Sequence, residues 1–426
     1  MRILVVGHGG REHALLHRLH QDRPDADLFV TRGNGGTLSL AASLPLSPDD
    51  LDGIGSWATG NRVDLVVIGP EAPLAAGMAD AFARRGLAVF GPTRAAAAIE
   101  SSKAYAKRLM VRAGVPTAAY ATFSDPGAAE AHIRANEGPI VVKASGLAAG
   151  KGAVVCDTAA EALAAARAIL GGAFGAAGAE IVIEQRLAGE EVSVFALTDG
   201  TEALILRPAQ DHKRIGEGDT GPNTGGMGAF APVAIAGPDL MDTVRSAIIE
   251  PTLAALREDG RPFRGLLYAG LILTDAGPQV IEFNARFGDP ETQAVLPLLA
   301  SPLLDPLLTV ARGGSLRGAR LDWRPASALT TVLASAGYPE SSTRGVPIEI
   351  PPALAADDHL FLYHAGTRME NGRLLTDGGR VLAVTAVAPS LAEAARRSRD
   401  AAAVIRFEGR QYRRDIGWRE LARQNA

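Results

Sequence analysis

The sequence predicts a multidomain chain of mixed α/β and α+β class. It comprises an N-terminal parallel-sheet α/β domain, a large central domain and a small C-terminal α+β domain. Three observations carry this. Strand-like and helix-like stretches alternate through the first hundred residues, the pattern of a parallel sheet with helices on its faces. Hairpin signals replace that alternation further on, beginning with Thr198-Asp199-Gly200-Thr201. A length of 426 residues corresponds to about three domains. The expected boundaries are 1–102, 103–324 and 325–426.

Taken in order, Ile3–Val6 reads as a strand and Arg11–His20 as a helix. Asp64–Ile68 is a buried-type strand, Leu74–Arg85 a helix and Ala88–Phe90 a strand. Ser101–Ala113 is a helix stopped by Gly114 and Pro116. A second unit follows: strand Ile140–Val142, a glycine loop, strand Ala153–Cys156, a helix through Leu170 and strand Ile181–Ile183. Val192–Leu197 and Ala203–Leu206 form a hairpin. Gln210–Gly228 reads as a long polar loop, and loops of that length are usually functional or disordered. A helix near Asp239–Arg257 and the hairpin Leu266–Leu273/Val280–Asn284 complete the central domain. The last domain shows strands at Leu329–Leu333 and Val381–Val387 and a helix at Leu391–Ala403.

Composition narrows the function classes. A hydrophobic fraction of 47% and a charged fraction of 21% are ordinary for a globular chain, and a net charge of -4 gives no reason to expect nucleic acid or a membrane as partner. The single cysteine, Cys156, excludes an internal disulfide and a thiolate metal cluster; in its apolar run it reads as a buried small hydrophobe, compatible with a cytoplasmic setting. The run Ile3–Val6 is too short for a signal peptide, and the Ala-rich stretch Glu161–Ile183 carries charges and glycines that rule it out as a membrane span.

The sharpest chemistry lies at Val280-Ile281-Glu282-Phe283-Asn284, followed by Arg286-Phe287-Gly288-Asp289-Pro290-Glu291-Thr292-Gln293. Alternate strand residues share a face, so Glu282 and Asn284 point the same way, about 7 Å apart. Oxygen donors at that spacing suit Mg²⁺ carried in by a nucleotide triphosphate. Arg286 follows within reach of a carboxylate or phosphate. The alternative is a solvated edge strand, disfavoured because Val280, Ile281 and Phe283 mark a core strand in which an unpaired Glu is costly.

Several loops add to this. Gly146-Leu147-Ala148-Ala149-Gly150-Lys151-Gly152 joins two strands and can fold its backbone N–H groups over phosphates, with Lys151 and the strand-end Lys143 as point charges. Lys103, at a helix start, is ambiguous alone. Gly7-His8-Gly9-Gly10 opens a helix after the first strand; Glu12 stands where a dinucleotide fingerprint needs glycine. Gly69-Pro70-Glu71-Ala72-Pro73 ends another parallel strand and offers Glu71 to a sugar hydroxyl, or is merely a helix start. The two loops can face one crevice. Ile181–Leu187 and Gly189-Glu190-Glu191 offer hinge backbone to a purine edge and a carboxylate to ribose, or form a solvated turn. The charged, glycine-rich loops Gln210–Arg214 and Thr220–Gly228 suit a small zwitterion and a phosphate. His13, His17 and His20 recur at helical spacing, with no further donor to complete a metal set.

In this order the motifs resemble the glycinamide ribonucleotide synthetase (phosphoribosylamine–glycine ligase) family of ATP-grasp enzymes over essentially the whole chain. The resemblance rests on Val5-Val6-Gly7 with Gly9–Ala14, Gly69–Leu74, Ser102-Lys103-Ala104 with Ala106-Lys107, Val142-Lys143-Ala144 with Gly146–Gly152, Gln210–Arg214, Gly221–Gly228 and Glu282–Gln293. It extends to Leu333-Ala334-Ser335, His364–Thr367 and Tyr412–Gly417. Ser145 departs from the Asp usual in the family. The resemblance implies a central ATP-grasp domain with a mobile lid lobe, roughly Tyr120 to Arg186, and an ATP-dependent ligation of glycine to 5-phosphoribosylamine in purine biosynthesis. It implies that Lys103, Lys143, Gly150, Lys151, Gly152, Glu184, Leu187 and Glu191 bind ATP, and that Glu282 and Asn284 bind Mg²⁺ or Mn²⁺. Asp211, Lys213 and Arg286 would hold glycine and the acyl phosphate. Gly9, Gly10, Arg11, Glu12, Pro70, Glu71 and Pro73 would hold the phosphoribosyl group, and Gly288 and Asp289 would also bind substrate. The enzyme would be a cytoplasmic monomer. The competing readings are an ATP-grasp carboxylase activating bicarbonate and a nucleotide-sensing module without turnover.

Overall fold

The computed structural model describes residues 1–136, 138–148 and 150–424; Ala149 of the glycine loop lies outside them. The N-terminal part is a five-stranded parallel sheet. Arg2–Val6 sits at its centre, between Asp27–Thr31 and Leu65–Ile68, with Ala42–Leu44 and Val89–Phe90 outermost. Ile3–Val6 and Leu65–Ile68 are buried on both faces, as their unbroken apolar runs require. The strands Asp27–Thr31 and Ala42–Leu44 and the helix Leu51–Gly60 add to the sequence reading. The helix expected over Leu74–Arg85 is two, Glu71–Ala76 and Met78–Arg84, because Gly77 takes φ +89° between them.

Two short helices, Arg94–Ser101 and Lys103–Arg112, lead into the centre of the chain. There, an antiparallel four-stranded sheet orders Tyr120–Phe123, Ile181–Gln185, Ile140–Ala144 and Ala153–Cys156. The helices Pro126–Ala135 and Ala159–Ala168 cover it, and the layer has its own apolar core, which includes Cys156. A second antiparallel sheet orders Ala203–Ile205, Glu190–Thr198, Gly265–Thr274 and Gly277–Asn284. The helix expected near Asp239–Arg257 runs from Pro238 to Glu258 through a widened turn at Arg245–Ile249.

A third sheet joins what the sequence reading divides at residue 325. Gln210–Asp211 pairs with Gly228–Ala231, which pairs with Ser327–Ala334; that strand pairs with Arg380–Ala388, which pairs with Leu360–His364. Gln210–Gly228 is therefore a structured ribbon and not an open loop; Arg214–Gly216 pairs with Thr220–Asn223 inside it. Two of the helical histidines are spent on packing. His17 meets Phe361 edge-on at 5.4 Å, and His13 Nδ1 accepts the His364 backbone N–H at 2.8 Å.

Candidate active site

Glu282 and Asn284 end the strand Gly277–Asn284, opposite Gly270 and Tyr268, while Phe283 between them turns into the core. A bulge precedes them: Glu282 pairs with Gly270 and Val280 with Leu271, leaving Ile281 without a partner. The freed Ile281 carbonyl accepts Lys143 Nζ at 3.2 Å, joining the two central sheets. Lys143 also donates to Glu184 Oε2 at 2.9 Å, and Lys107 Nζ lies 3.1 Å from the same oxygen. The Glu184 carboxylate is thus committed to two buried ammonium groups. Leu187 follows in the half-buried turn leading to Glu190–Thr198.

Lys103 begins its helix where Ser145 closes the neighbouring strand. The Ser145 carbonyl accepts Lys103 N at 2.8 Å, its hydroxyl accepts Ala104 N at 3.2 Å, and Lys103 Nζ donates to the Gly146 carbonyl at 3.1 Å. The hydroxyl at 145 therefore caps the Lys103 helix and anchors the glycine loop to it. Lys151 is exposed at the loop tip beside Gly150 and Gly152, and its Nζ donates to the Pro339 carbonyl at 3.0 Å.

Electrostatics single out Glu282. Burial pushes its pKa up, but Lys143, then Lys103, Lys213 and Arg286, together hold it below the usual carboxylate range. Burial lowers Lys103, and lowers Lys107 to about 8. Among the described residues neither Glu282 nor the Asn284 side chain is engaged in a hydrogen bond or ion pair with another side chain. No group of three or more His, Cys, Asp or Glu suited to a metal occurs among them either. Two free hard oxygen donors fit a divalent cation that draws its remaining ligands from phosphate and water.

Lys213 stands between two acids, in contact with Glu191 and 3.4 Å from Asp211 Oδ1. Burial pushes Asp211 up to about 7, with Lys213 opposing and Glu291 and Glu191 adding to it. Burial would lower Lys213, but Asp211 and Glu191 raise it. Behind them Tyr268 donates to Glu291 Oε1 at 2.6 Å, and the Ser193 hydroxyl lies 2.8 Å from the Tyr268 hydroxyl.

The two N-terminal loops do face one another. Glu12 is the wall between them: its carboxylate accepts Gly9 N at 2.7 Å and Arg11 Nε at 2.6 Å. A Cβ at Gly69 would lie 2.1 Å from Glu12, and one at Gly7 would lie 2.7 Å away, so both positions need glycine. A buried carboxylate of the chain itself thus occupies the amide at the helix start. Gly10 approaches Gln293, and Gly9 approaches Asp289. Arg11 Nη1 donates to the Phe287 carbonyl at 3.0 Å, tying the N-terminal loop to the segment holding Gly288 and Asp289. Pro70 precedes the helix Glu71–Ala76, whose first turn carries Pro73. Glu71 Oε2 lies 3.2 Å from Arg286 Nε. Arg286 and Arg11 hold Glu71 down to about 2, against the upward push of burial.

A family model described as the phosphoribosylglycinamide synthetase N domain matches residues 1–100, its ATP-grasp (A) domain residues 101–292 and its C domain residues 328–419. The chain belongs to the phosphoribosylglycinamide synthetase family. Within that family, a Brucella melitensis protein named phosphoribosylamine–glycine ligase is 46% identical over 426 residues, covering all of both chains. A Nostoc protein of the same name is 49% identical over 98% of this chain and 99% of its own. The Thermotoga maritima phosphoribosylamine–glycine ligase structure superposes with a TM-score of 0.84 at 32% identity, covering 98% of this chain and all of that one. A biotin carboxylase from Campylobacter jejuni, at 14% identity and a TM-score of 0.75 over 97% and 93% of the two chains, shares the fold.

The synthetase fold brings in residues that sequence reasoning did not place in the site: Glu100, Lys107, Ser193, Tyr268, Glu291 and Arg380. Lys107 had a signal, since it lies four residues after Lys103 on the same helix face. Arg380 had none; it reaches Asp289 from a strand 91 residues away.

Proposed function

We propose that the chain joins glycine to 5-phosphoribosylamine at the expense of ATP, giving glycinamide ribonucleotide, ADP and phosphate through glycyl phosphate. The chain is an ATP-grasp ligase by family, and this is the reaction its relatives are named for. One observation carries the reading at the level of residues: the charges of Lys103, Lys143, Lys213 and Arg286, from four stretches of the chain, act together on Glu282, and Glu71 of the N-terminal crevice reaches the same Arg286.

Phosphoryl transfer asks mainly for positioning and charge stabilisation. Lys103 and Lys143 take the nucleotide phosphates, and Lys151 joins them when the glycine loop closes. Glu282 and Asn284 would hold Mg²⁺ or Mn²⁺, which would offset phosphate charge when bound. Lys213 and Arg286 hold the glycine carboxylate in line with the terminal phosphate. The acyl phosphate then meets the amine presented from the crevice of Gly9–Glu12, Pro70–Pro73, Gly288 and Asp289. The glycine loop excludes water from an intermediate that hydrolyses readily.

The test is ADP release measured with glycine and phosphoribosylamine supplied together, singly or replaced by bicarbonate. Release that needs both substrates is expected. Release driven by bicarbonate, or nucleotide binding without release under any condition, would overturn the proposal.

A further inference from the structure

Arg286 is gripped from two sides. Its Nε faces Glu71 Oε2 at 3.2 Å, and its Nη2 faces Glu100 Oε1 at 3.5 Å. The two acids come from different places: Glu71 opens the helix Glu71–Ala76 on the crevice, and Glu100 sits near the end of Arg94–Ser101. They also differ in attachment. Glu71 is partly exposed. Glu100 is buried, and its second oxygen accepts the Ala285 backbone N–H at 2.7 Å, one residue before the arginine. Glu100 therefore holds both the backbone and the side chain at the end of the Glu282 strand, whereas Glu71 touches only the guanidinium edge.

We propose that Glu100 is a positioning residue that holds Arg286 in place for glycine, leaving Glu71 free to exchange Arg286 for a hydroxyl of the amino-sugar substrate. The inference rests on the ligase reading above. A guanidinium stays charged, and a buried charge that loses its partner is costly. If Glu71 were the only acid on Arg286, turning it toward a sugar would strand the arginine. With Glu100 fixed behind it, Arg286 stays paired, and the edge that Glu71 vacates becomes available to the glycine carboxylate, which that planar fork suits. Filling the amine subsite thereby prepares the glycine subsite.

The experiment compares full-length wild type, Glu100→Gln, Glu100→Asp and Glu71→Gln, with KM for ATP, glycine and phosphoribosylamine measured separately alongside a thermal melt. Glu100→Gln is expected to raise KM for glycine about tenfold while KM for ATP changes less than twofold, and Glu100→Asp to recover part of that loss. Glu71→Gln is expected to raise KM for phosphoribosylamine and to leave KM for glycine within about threefold. An unchanged glycine KM in Glu100→Gln, or all three KM values rising together with a fall in melting temperature, would overturn the inference. If Glu100→Gln does not fold, Glu71→Gln decides alone: a tenfold rise in glycine KM there makes Glu71 the anchor and refutes the assignment. A wild-type protein without glycine-dependent ADP release would instead remove the ligase reading itself.

Discussion

Glu282 owes its ionisation to its neighbours. In a strand whose other face enters the core, burial pushes a carboxylate's pKa up. Lys143, Lys103, Lys213 and Arg286 keep it charged and so keep it competent as a hard ligand. Glu282→Ala is expected to lower turnover by at least about a hundredfold, the scale of losing a major electrostatic stabiliser, with the fold retained. Steady-state ADP formation and a circular dichroism melt check both halves; near-normal rates would contradict the metal role. Glu71 makes a separate prediction. Its folded pKa of about 2 lies below the ordinary 4.5, so it contributes stability above pH 4.5 that is lost as the pH falls toward 2. Arg286, Arg11 and the nearby Glu100 are the charged groups that set this. Between pH 5 and 3.5 the loss amounts to about 1 kcal/mol, and urea melts of wild type and Glu71→Gln at the two pH values should differ by that amount. Glu282 and Lys143 were legible because each puts a charge where the local pattern demands apolar burial, and Arg286 because it follows that strand within reach of an anion. Glu100 was not. Its partner Ala285 lies 185 residues away, and nothing local marks it.

The glycine loop shows how far an element can be read from its own residues. Its two short apolar strands, on either side of the glycine run, mark the hairpin Ile140–Ala144/Ala153–Cys156. Gly150 takes φ +74°, and a Cβ added there would meet no atom within 4 Å, so the backbone, not space, requires glycine. Gly150→Val is expected to slow turnover about tenfold through a stiffer loop while costing less than about 2 kcal/mol of stability, because the strain sits in an exposed tip. Stopped-flow ADP formation and a melt separate the two effects; unchanged kinetics would argue against closure over phosphates. The ribbon within Gln210–Gly228 was illegible for the opposite reason. Its order comes from the far end of the chain: Arg413 Nη1 donates to Asp219 Oδ1 at 2.7 Å, and Gly218 N donates to Asp415 Oδ2 at 2.8 Å. A polar, glycine-rich stretch looks the same in sequence whether or not such partners exist. The break at Gly77 was available in principle, since glycine inside a helical pattern can mark a left-handed cap.

At the scale of the whole molecule the C-terminal strands reach the candidate site, through Arg380 at Asp289. The sheet that carries Gln210–Asp211 continues through Ser327–Ala334 into Arg380–Ala388, so Asp211 and Arg380 stand on one continuous layer. From that layer Arg380 Nη1 donates to the carbonyls of Gly225 at 2.5 Å and Asp289 at 2.7 Å, and its Nη2 lies 3.4 Å from Asp289 Oδ2. Burial would raise Asp289, but Arg380 and then Arg11 hold it ionised, one cation from each end of the chain. The C-terminal domain thus sets the charge at the floor of the crevice formed by the N-terminal loops. Arg380→Met keeps the aliphatic stem and removes the guanidinium, leaving Asp289 with Arg11 and the Gln293 amide, 2.7 Å from Oδ1. The expected cost is about 2–3 kcal/mol of stability, the lower side of breaking a buried pair because both side chains keep some solvent access. If the crevice takes the amino sugar, KM for phosphoribosylamine should rise about tenfold in Arg380→Met while KM for ATP stays within twofold, since Lys103 and Lys143 lie on other elements. An ATP KM that rises in step would show that Arg380 supports the layer as a whole and has no selective part in the amine subsite.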